Sequence, residues 1–427
     1  MIRKSVVASA ATIAVLLGCL IVKSSADAAV NTATVVPSPD SGRGFTEFRS
    51  VSCVSATFCV AVGNSFDGYQ SKTFLVVWDG TAWTQVSTPD LGTNSDTLES
   101  ISCATTSSCV AVGTSSSQRN FATSLVWDGT TWTPAAIPAV GDGSSYMHSV
   151  TCLSASSCIA VGTYDFYPSQ LSLVVSWDGN QWTQMASPSP GTDYNDLYSV
   201  SCVTATSCTA IGFFSTADVS QTLVLSGNDS SWSQVTSPTP TSFDWGLNSV
   251  SCSTASSCMA VGADGTNQSL VLLWDGNNWS LSPGPISANR LEGVSCMDPS
   301  SCVAVGSYED ENGGAQTIVA VWDGNVWTQI TSPSPGAGFN SLRSVSCVTA
   351  TTCTAVGVTD DYNYGTQART LVLTLSESQS PEPTTTTTTT TTSTSTSTST
   401  STSTSTTLAD SPTTSIAAGA IEPRFTG

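Results

Sequence analysis

A unit of roughly 50 residues is written seven times along this 427-residue chain, and that repetition constrains its fold more than any other feature. The unit reads S-V-S-C-x5-C-x-A-V-G, a variable stretch, L-V-x-x-W-D-G-x-x-W-T-Q, then S-P-x-P. Its first cysteines are Cys53, Cys103, Cys152, Cys202, Cys252, Cys296 and Cys347, at intervals of 50, 49, 50, 50, 44 and 51 residues. Its second cysteines are Cys59, Cys109, Cys158, Cys208, Cys258, Cys302 and Cys353. Each copy holds four strand-like runs separated by turn residues, without helical periodicity. In the first copy these are about Phe48–Val54, Cys59–Gly63, Thr73–Trp78 and Trp83–Ser87, named A to D.

Four short antiparallel strands in units of this length predict propeller blades. The two ends of the array support a ring. The seventh copy has Leu371-Val372-Leu373 but lacks W-D-G-x-x-W, and so lacks strand D. Thr32-Ala33-Thr34-Val35-Val36-Pro37-Ser38-Pro39 matches the strand-D segment Thr328-Gln329-Ile330-Thr331-Ser332-Pro333-Ser334-Pro335 of the sixth copy. A last blade built from both termini would hide the edges an open array leaves exposed. The expected fold is all-β: a seven-bladed β-propeller of four-stranded antiparallel blades, closed by an N-terminal strand that completes the last blade. The expected division is 1–28 leader, 29–379 propeller, 380–427 tail.

Over about residues 30–378 the pattern resembles secreted bacterial β-propeller repeat proteins, through its paired cysteines and A-V-G. Kelch and Asp-box propellers are looser relatives. The paired glycines of kelch are missing, and Asp79-Gly80 are adjacent where an Asp box separates them by one residue. Neither family's function carries over.

Arg3 and Lys4, an apolar run from about Val6 to Val22, and Ala26-Asp27-Ala28 describe a secretory signal peptide cleaved after Ala28. Leu16-Leu17-Gly18 before Cys19 leaves a lipid anchor on Cys19 as the rival, and an uncleaved anchor as a third option. No later stretch reaches the roughly 18 apolar residues of a membrane helix. The expected location is therefore secreted or cell-surface, with no transmembrane span in the mature chain. From Pro381-Glu382-Pro383 a threonine and then Ser-Thr tract runs to about Thr407. Such composition cannot bury a core, so it reads as a disordered linker or an O-glycosylated stalk.

Export makes disulfides the expected state of cysteines six residues apart, facing each other across a five-residue hairpin loop at the usual 5.5–6 Å Cα separation. One histidine in the whole chain cannot serve seven metal sites. W-D-G-x-x-W reads as a hairpin whose Asp and Gly make the turn and whose tryptophans form a cross-strand pair. Trp78/Trp83, Trp127/Trp132, Trp177/Trp182, Trp274/Trp279 and Trp322/Trp327 have this form, while the fourth copy has Gly227 before Trp232. These pairs are expected to pack between blades, with a glycan platform as the alternative.

Only 10% of residues are charged, against about 25% in ordinary soluble domains. With 11 Lys and Arg against 31 Asp and Glu the net charge is −20. That excludes nucleic acid and disfavours anionic membrane surfaces.

Comparison among the copies separates scaffold from candidate site. The A–B and C–D turns are nearly constant, whereas the B–C and D–A connections vary and emerge together on one face. Just before S-V-S-C, one position takes Arg49, Glu99, His148, Tyr198, Asn248, Glu292 and Arg343 between nearly fixed neighbours. Seven starts of innermost strands would set these side chains as a ring at a channel mouth. Glu292, Arg343, Arg49 and Glu99 are then consecutive, reading either as two salt bridges or as a polar ligand site with paired arginines for a carboxylate or sulfate. The acidic runs Glu309-Asp310-Glu311-Asn312 and Asp360-Asp361 read as solvated charge, with calcium as the weaker alternative.

No nucleophile–His pair, Gly-rich phosphate loop or metal-ligand cluster stands out. The chain is expected to be a monomeric, non-catalytic extracellular binding or scaffold propeller without cofactor or metal, its partner a glycan or protein. A glycan-active hydrolase or lyase, or a purely structural envelope protein, is the alternative.

Overall fold

The computed structural model describes residues 29–378, apart from 42–43, 92–93, 142, 218, 229, 241–245, 267, 286–287 and 362–366. The expected leader with Cys19 and the Thr/Ser tract lie outside the described residues. The chain divides after Ser378 into two bodies, and only the first contains described residues. Every regular element described is a β-strand, and none is a helix long and apolar enough to cross a membrane.

In the first copy strands A to D are Phe45–Ser55, Phe58–Phe66, Ser71–Trp78 and Trp83–Gln85. A and B are longer than apolar periodicity predicts because the ladder continues through polar pairs, Thr46 with Ser65 and Glu47 with Asn64. The first five copies form separate four-stranded antiparallel sheets. The sixth and seventh share an eight-stranded sheet, joined by one parallel bridge between Ala315 and Phe339. Within it Thr32–Val35 pairs antiparallel with Arg369–Ser376, from Thr32 opposite Ser376 to Val35 opposite Leu373. The N-terminal segment thus supplies the strand that the seventh copy lacks.

Seven disulfides form, each within one copy. Their Cα separations, 3.9–4.0 Å, are shorter than the expected 5.5–6 Å. The reason is register: Cys53 and Cys59 are direct ladder partners, and directly opposed antiparallel residues come as close as about 4.5 Å. The segment between them is no open five-residue loop, since Ser55 pairs with Phe58 across Ala56-Thr57.

At the C–D turn Asp79 Oδ1 accepts the Thr81 and Ala82 amides at 2.7 and 2.9 Å, and Gly80 sits at φ +95°. A side chain is strained at that φ, which is why Gly follows Asp. The Thr81 hydroxyl and these amides hold the Asp79 carboxyl below its ordinary range. The five tryptophan pairs meet with ring centroids 5.3–5.6 Å apart. The first tryptophan closes onto the A–B turn, Trp78 Nε1 donating to the Ala56 carbonyl at 3.0 Å. The second packs against the preceding copy and is buried except at Trp327, which is half-buried: Trp132 packs with Val60, Val62 and Leu75, and Trp182 Nε1 donates to Ser124 Oγ at 2.9 Å. In the fourth copy the Trp232 ring fills the space a Cβ on Gly227 would need. These contacts favour packing over a glycan platform.

Among the described residues the core forms seven apolar clusters, six drawn from copies adjacent in sequence and one from the first and the seventh. The cluster of Phe48, Phe74 and Trp83 takes Val356 and Val372 from the seventh copy. S-V-S-C forms a polar latch between copies. The first serine accepts a backbone amide of the next copy, as in Ser50 from Ile101 at 3.2 Å and Ser100 from Val150 at 3.1 Å. Ser344 accepts from Val51 at 3.3 Å, linking the seventh copy to the first. The second serine does the same one pair along, Ser52 from Cys103 and Ser346 from Cys53, both at 3.0 Å.

Candidate functional site

Strand A carries the same irregularity in every copy. Phe48 pairs with Gly63 and Ser50 with Val62, which leaves Arg49 as an extra residue without a place in the ladder. Glu99, His148, Tyr198, Asn248, Glu292 and Arg343 occupy the same extra position. Each is the bulged residue of a β-bulge, a device that re-aims a side chain. The bulge also explains the glycine of A-V-G. A Cβ on Gly63 would lie 2.0 Å from the Glu47 carbonyl oxygen, and the six equivalent glycines meet the same obstruction at 1.9–2.3 Å. Fixed neighbours make the bulge, and the bulge frees the residue it displaces.

All seven bulged residues line one cavity of about 830 Å³. Thr114 and Ser116 at the end of strand B and Asn120 at the start of strand C of the second copy line it too, flanking the variable B–C connection, so the cavity opens on that face. Beneath the same seven residues a smaller cavity of about 160 Å³ is walled by latch serines such as Ser50, Ser100 and Ser344.

The cavity has two chemically different halves. On one, Arg343 Nη1 lies 3.1 Å from Glu292 Oε1, and Arg49 Nη1 lies 3.5 Å from Glu99 Oε2. Three residues missed in the sequence complete this half and its surroundings. Glu47 Oε1 is 2.6 Å from Arg49 Nη2, and Arg290 Nε is 2.7 Å from Glu292 Oε1. Asp196 Oδ1 is 3.3 Å from His148 Nε2. Each stands two residues before a bulged position, inside the part of strand A that apolar periodicity left out. Their only sequence signal is a second variable position on that face: Glu47, Thr97, Tyr146, Asp196, Gly246, Arg290 and Ser341. Arg49 and Arg343 therefore already engage carboxylates, which weakens the expectation of an arginine pair awaiting an anion.

The other half is aromatic. His148 and Tyr198 meet edge-on at 5.4 Å, and Tyr198 stacks on Phe213 at 5.9 Å. Tyr146 lines the same wall. Asn248 Nδ2 donates to the Leu291 carbonyl at 2.9 Å.

Comparison with solved structures settles the fold class. "YCF48 bound to D1 peptide" matches with a TM-score of 0.51 and 13% identity, covering 82% of this chain and 96% of that one. The WD40 beta propeller domain of Doa1 matches with a TM-score of 0.51 and 12% identity, covering 81% and 97%. The fold is a β-propeller. Identity this low speaks to architecture alone. No protein-family model matches the chain, and no curated protein does.

In this propeller the acidic connections make local contacts. Asp310 Oδ1 accepts the Asn312 and Gly314 amides at 2.8 and 2.9 Å, and Asp361 pairs with Arg369 at 2.7 Å. Among the described residues no group of three or more His, Cys, Asp or Glu is gathered for a metal ion.

Glu47 makes Arg49 structurally important. The Glu47 side chain is 2% exposed, and a buried carboxylate stripped of its cation is costly. Arg49→Ala is expected to destabilise the propeller by about 2–3 kcal/mol, between the limits for exposed and buried pairs. Adding Glu47→Gln should restore most of that loss. Urea denaturation of the two variants checks this, and equal midpoints would show that Glu47 does not depend on Arg49.

His148 titrates against the rest of the site. Burial alone would lower its pKa, but the Asp196 carboxylate 3.3 Å away, with help from Glu99, raises it above the ordinary 6.5. Burial, reinforced by Asp196, keeps the Tyr198 hydroxyl protonated. A raised folded pKa stabilises fully below the unfolded value, and that stability is lost as pH rises through the folded pKa. The stability advantage of the wild type over His148→Asn should therefore be full below the ordinary 6.5 and shrink as pH rises through the raised folded value. Paired urea titrations at several pH values measure it, and a constant difference would contradict the pairing.

Proposed function

We propose that the protein is an extracellular, non-catalytic binding propeller that holds a polar ligand of the glycan class in the cavity rimmed by Arg49, Glu99, His148, Tyr198, Asn248, Glu292 and Arg343. Its residues 29–379 form seven blades closed by the N-terminal strand, between a leader at 1–28 and a Ser/Thr tail from 380. Cores and serine latches running from the seventh copy to the first support the blade count and the closure. Seven disulfides suit an oxidising compartment.

One observation carries the functional reading. Of the two positions that strand A leaves out of the ladder in every copy, the one before S-V-S-C converges on one cavity, and there the side chains differ. A cavity with charge-compensated hydrogen-bonding groups on one wall and aromatic rings on the other suits a hydroxyl-rich ring better than a simple anion.

A glycan array at neutral pH, with and without calcium, is the test, run on wild type and on Glu99→Gln/Tyr198→Phe. These changes keep side-chain shape and remove a charge and a hydroxyl. Specific binding that falls at least tenfold in the double variant is expected. Binding that ignores the variant, or release of a cleaved product, would overturn the reading.

A further inference from the structure

Apart from Val35 and Leu281 on D strands, the exposed large apolar side chains among the described residues divide by chemistry between the two faces. On the face where the cavity opens, the B–C hairpins and the start of strand A in the first four copies carry exposed Phe66, Tyr69, Phe166, Tyr167 and Tyr194, with Phe121 half covered by the Arg119 guanidinium 4.9 Å from its ring. Tyr69 and Tyr167 are 91% and 95% exposed. One exposed aliphatic residue, Val219, accompanies them among the described residues. On the opposite face, at the A–B and C–D turns, the exposed examples are aliphatic: Leu153, Met297 and Val326. The aromatic sector is held in place by backbone contacts. Gln170 N donates to the Asp193 carbonyl at 2.8 Å, tying the Phe166–Tyr167 hairpin to the segment that presents Tyr194. In the sixth and seventh copies the same face carries exposed Glu309, Glu311 and Asp361 instead.

From this division we infer that the aromatic tips form a stacking platform for a neutral polysaccharide lying across the first four blades. The inference rests on the glycan reading above and adds the polymer and its path. The electron-rich face of an aromatic ring attracts the polarised C–H groups on the flat side of a sugar, which an aliphatic side chain cannot do. Protein interfaces are also rich in aromatic residues, but their core is a contiguous, close-packed apolar patch. Here single rings stand among polar neighbours such as Asp67, Gln70, Asn120 and Asp165. Charge narrows the choice further. A net charge of −20, with exposed carboxylates on the same face, repels uronate or phosphate polymers and leaves a neutral chain.

Affinity electrophoresis of the full chain through native gels containing hydroxyethylcellulose, galactomannan or dextran tests this, with alginate as the anionic control. At least one neutral polymer should retard the wild type, and alginate should not. Tyr69→Ala/Tyr167→Ala removes only solvent-exposed rings and should weaken that retardation at least tenfold while leaving the unfolding midpoint unchanged. Failure of all three neutral polymers to retard the wild type, or equal retardation of the variant, would overturn the inference. The cavity reading is judged separately, by short-glycan binding to Glu99→Gln/Tyr198→Phe. Loss there with polymer retardation unaffected by Tyr69→Ala/Tyr167→Ala would sink the platform and spare the cavity.

Discussion

Deleting Thr32–Pro39 is expected to lower the stability of this propeller far more than removing everything after Ser378. The deletion strips the strand registered against Arg369–Ser376, from Thr32–Ser376 to Val35–Leu373. It also removes the Val36 contact with the Phe48 cluster and the Ser38–Thr370 hydroxyl pair at 2.8 Å. Leu373 and Leu375, now fully buried, would lie beneath an open sheet edge. Exposing two such side chains costs about 3–6 kcal/mol, before the unpaired edge itself is counted. Removal of the Ser/Thr tract touches no described contact. Thermal midpoints of the two truncations are the measurement. If they agree, the N-terminal strand does not complete the last blade.

Reduction should have the largest effect of all. Each disulfide closes a loop of six residues in sequence separation, and a loop that short is worth about 2 kcal/mol in the chain-entropy model. Seven released together set an upper bound on the order of 15 kcal/mol, comparable to the whole stability of an ordinary domain. This chain is short of charge, and its latches are neutral serine–amide bonds, so salt-bridge networks cannot compensate. Adding a phosphine reductant at neutral pH should bring the unfolding midpoint down steeply, and non-reducing peptide maps should show Cys53–Cys59 and its six equivalents. A reduced protein as stable as the oxidised one would mean that the ladders and interblade clusters suffice alone.

The repeat made the architecture legible. Strand number, the Cys53–Cys59 type of pairing, the Asp-Gly turns and the missing seventh strand D are local patterns set by a few neighbouring residues, and repetition multiplies a weak local signal. The variable position before S-V-S-C was legible too, because seven internal copies showed one residue varying between fixed neighbours.

Register was not legible, and register decided the site. A bulge is a mismatch between two strands, so neither strand alone records it. Only the opposed pairs Phe48–Gly63 and Ser50–Val62 reveal Arg49 as an extra residue, and only then does the glycine of A-V-G acquire its reason. Strand A begins before the apolar alternation starts, so Glu47, Asp196 and Arg290 looked like loop. Their effect is long-range. Asp196 governs a histidine in the preceding copy, and Arg290 shares Glu292 with Arg343 of the next. By itself, then, the sequence determined what each unit is, because hydrogen-bonding ladders, turns and short disulfides depend on residues a few places apart. The tertiary structure decided what the units make together. Which charge neutralises which, and which rings share a wall, depend on side chains that meet only after seven copies are set side by side.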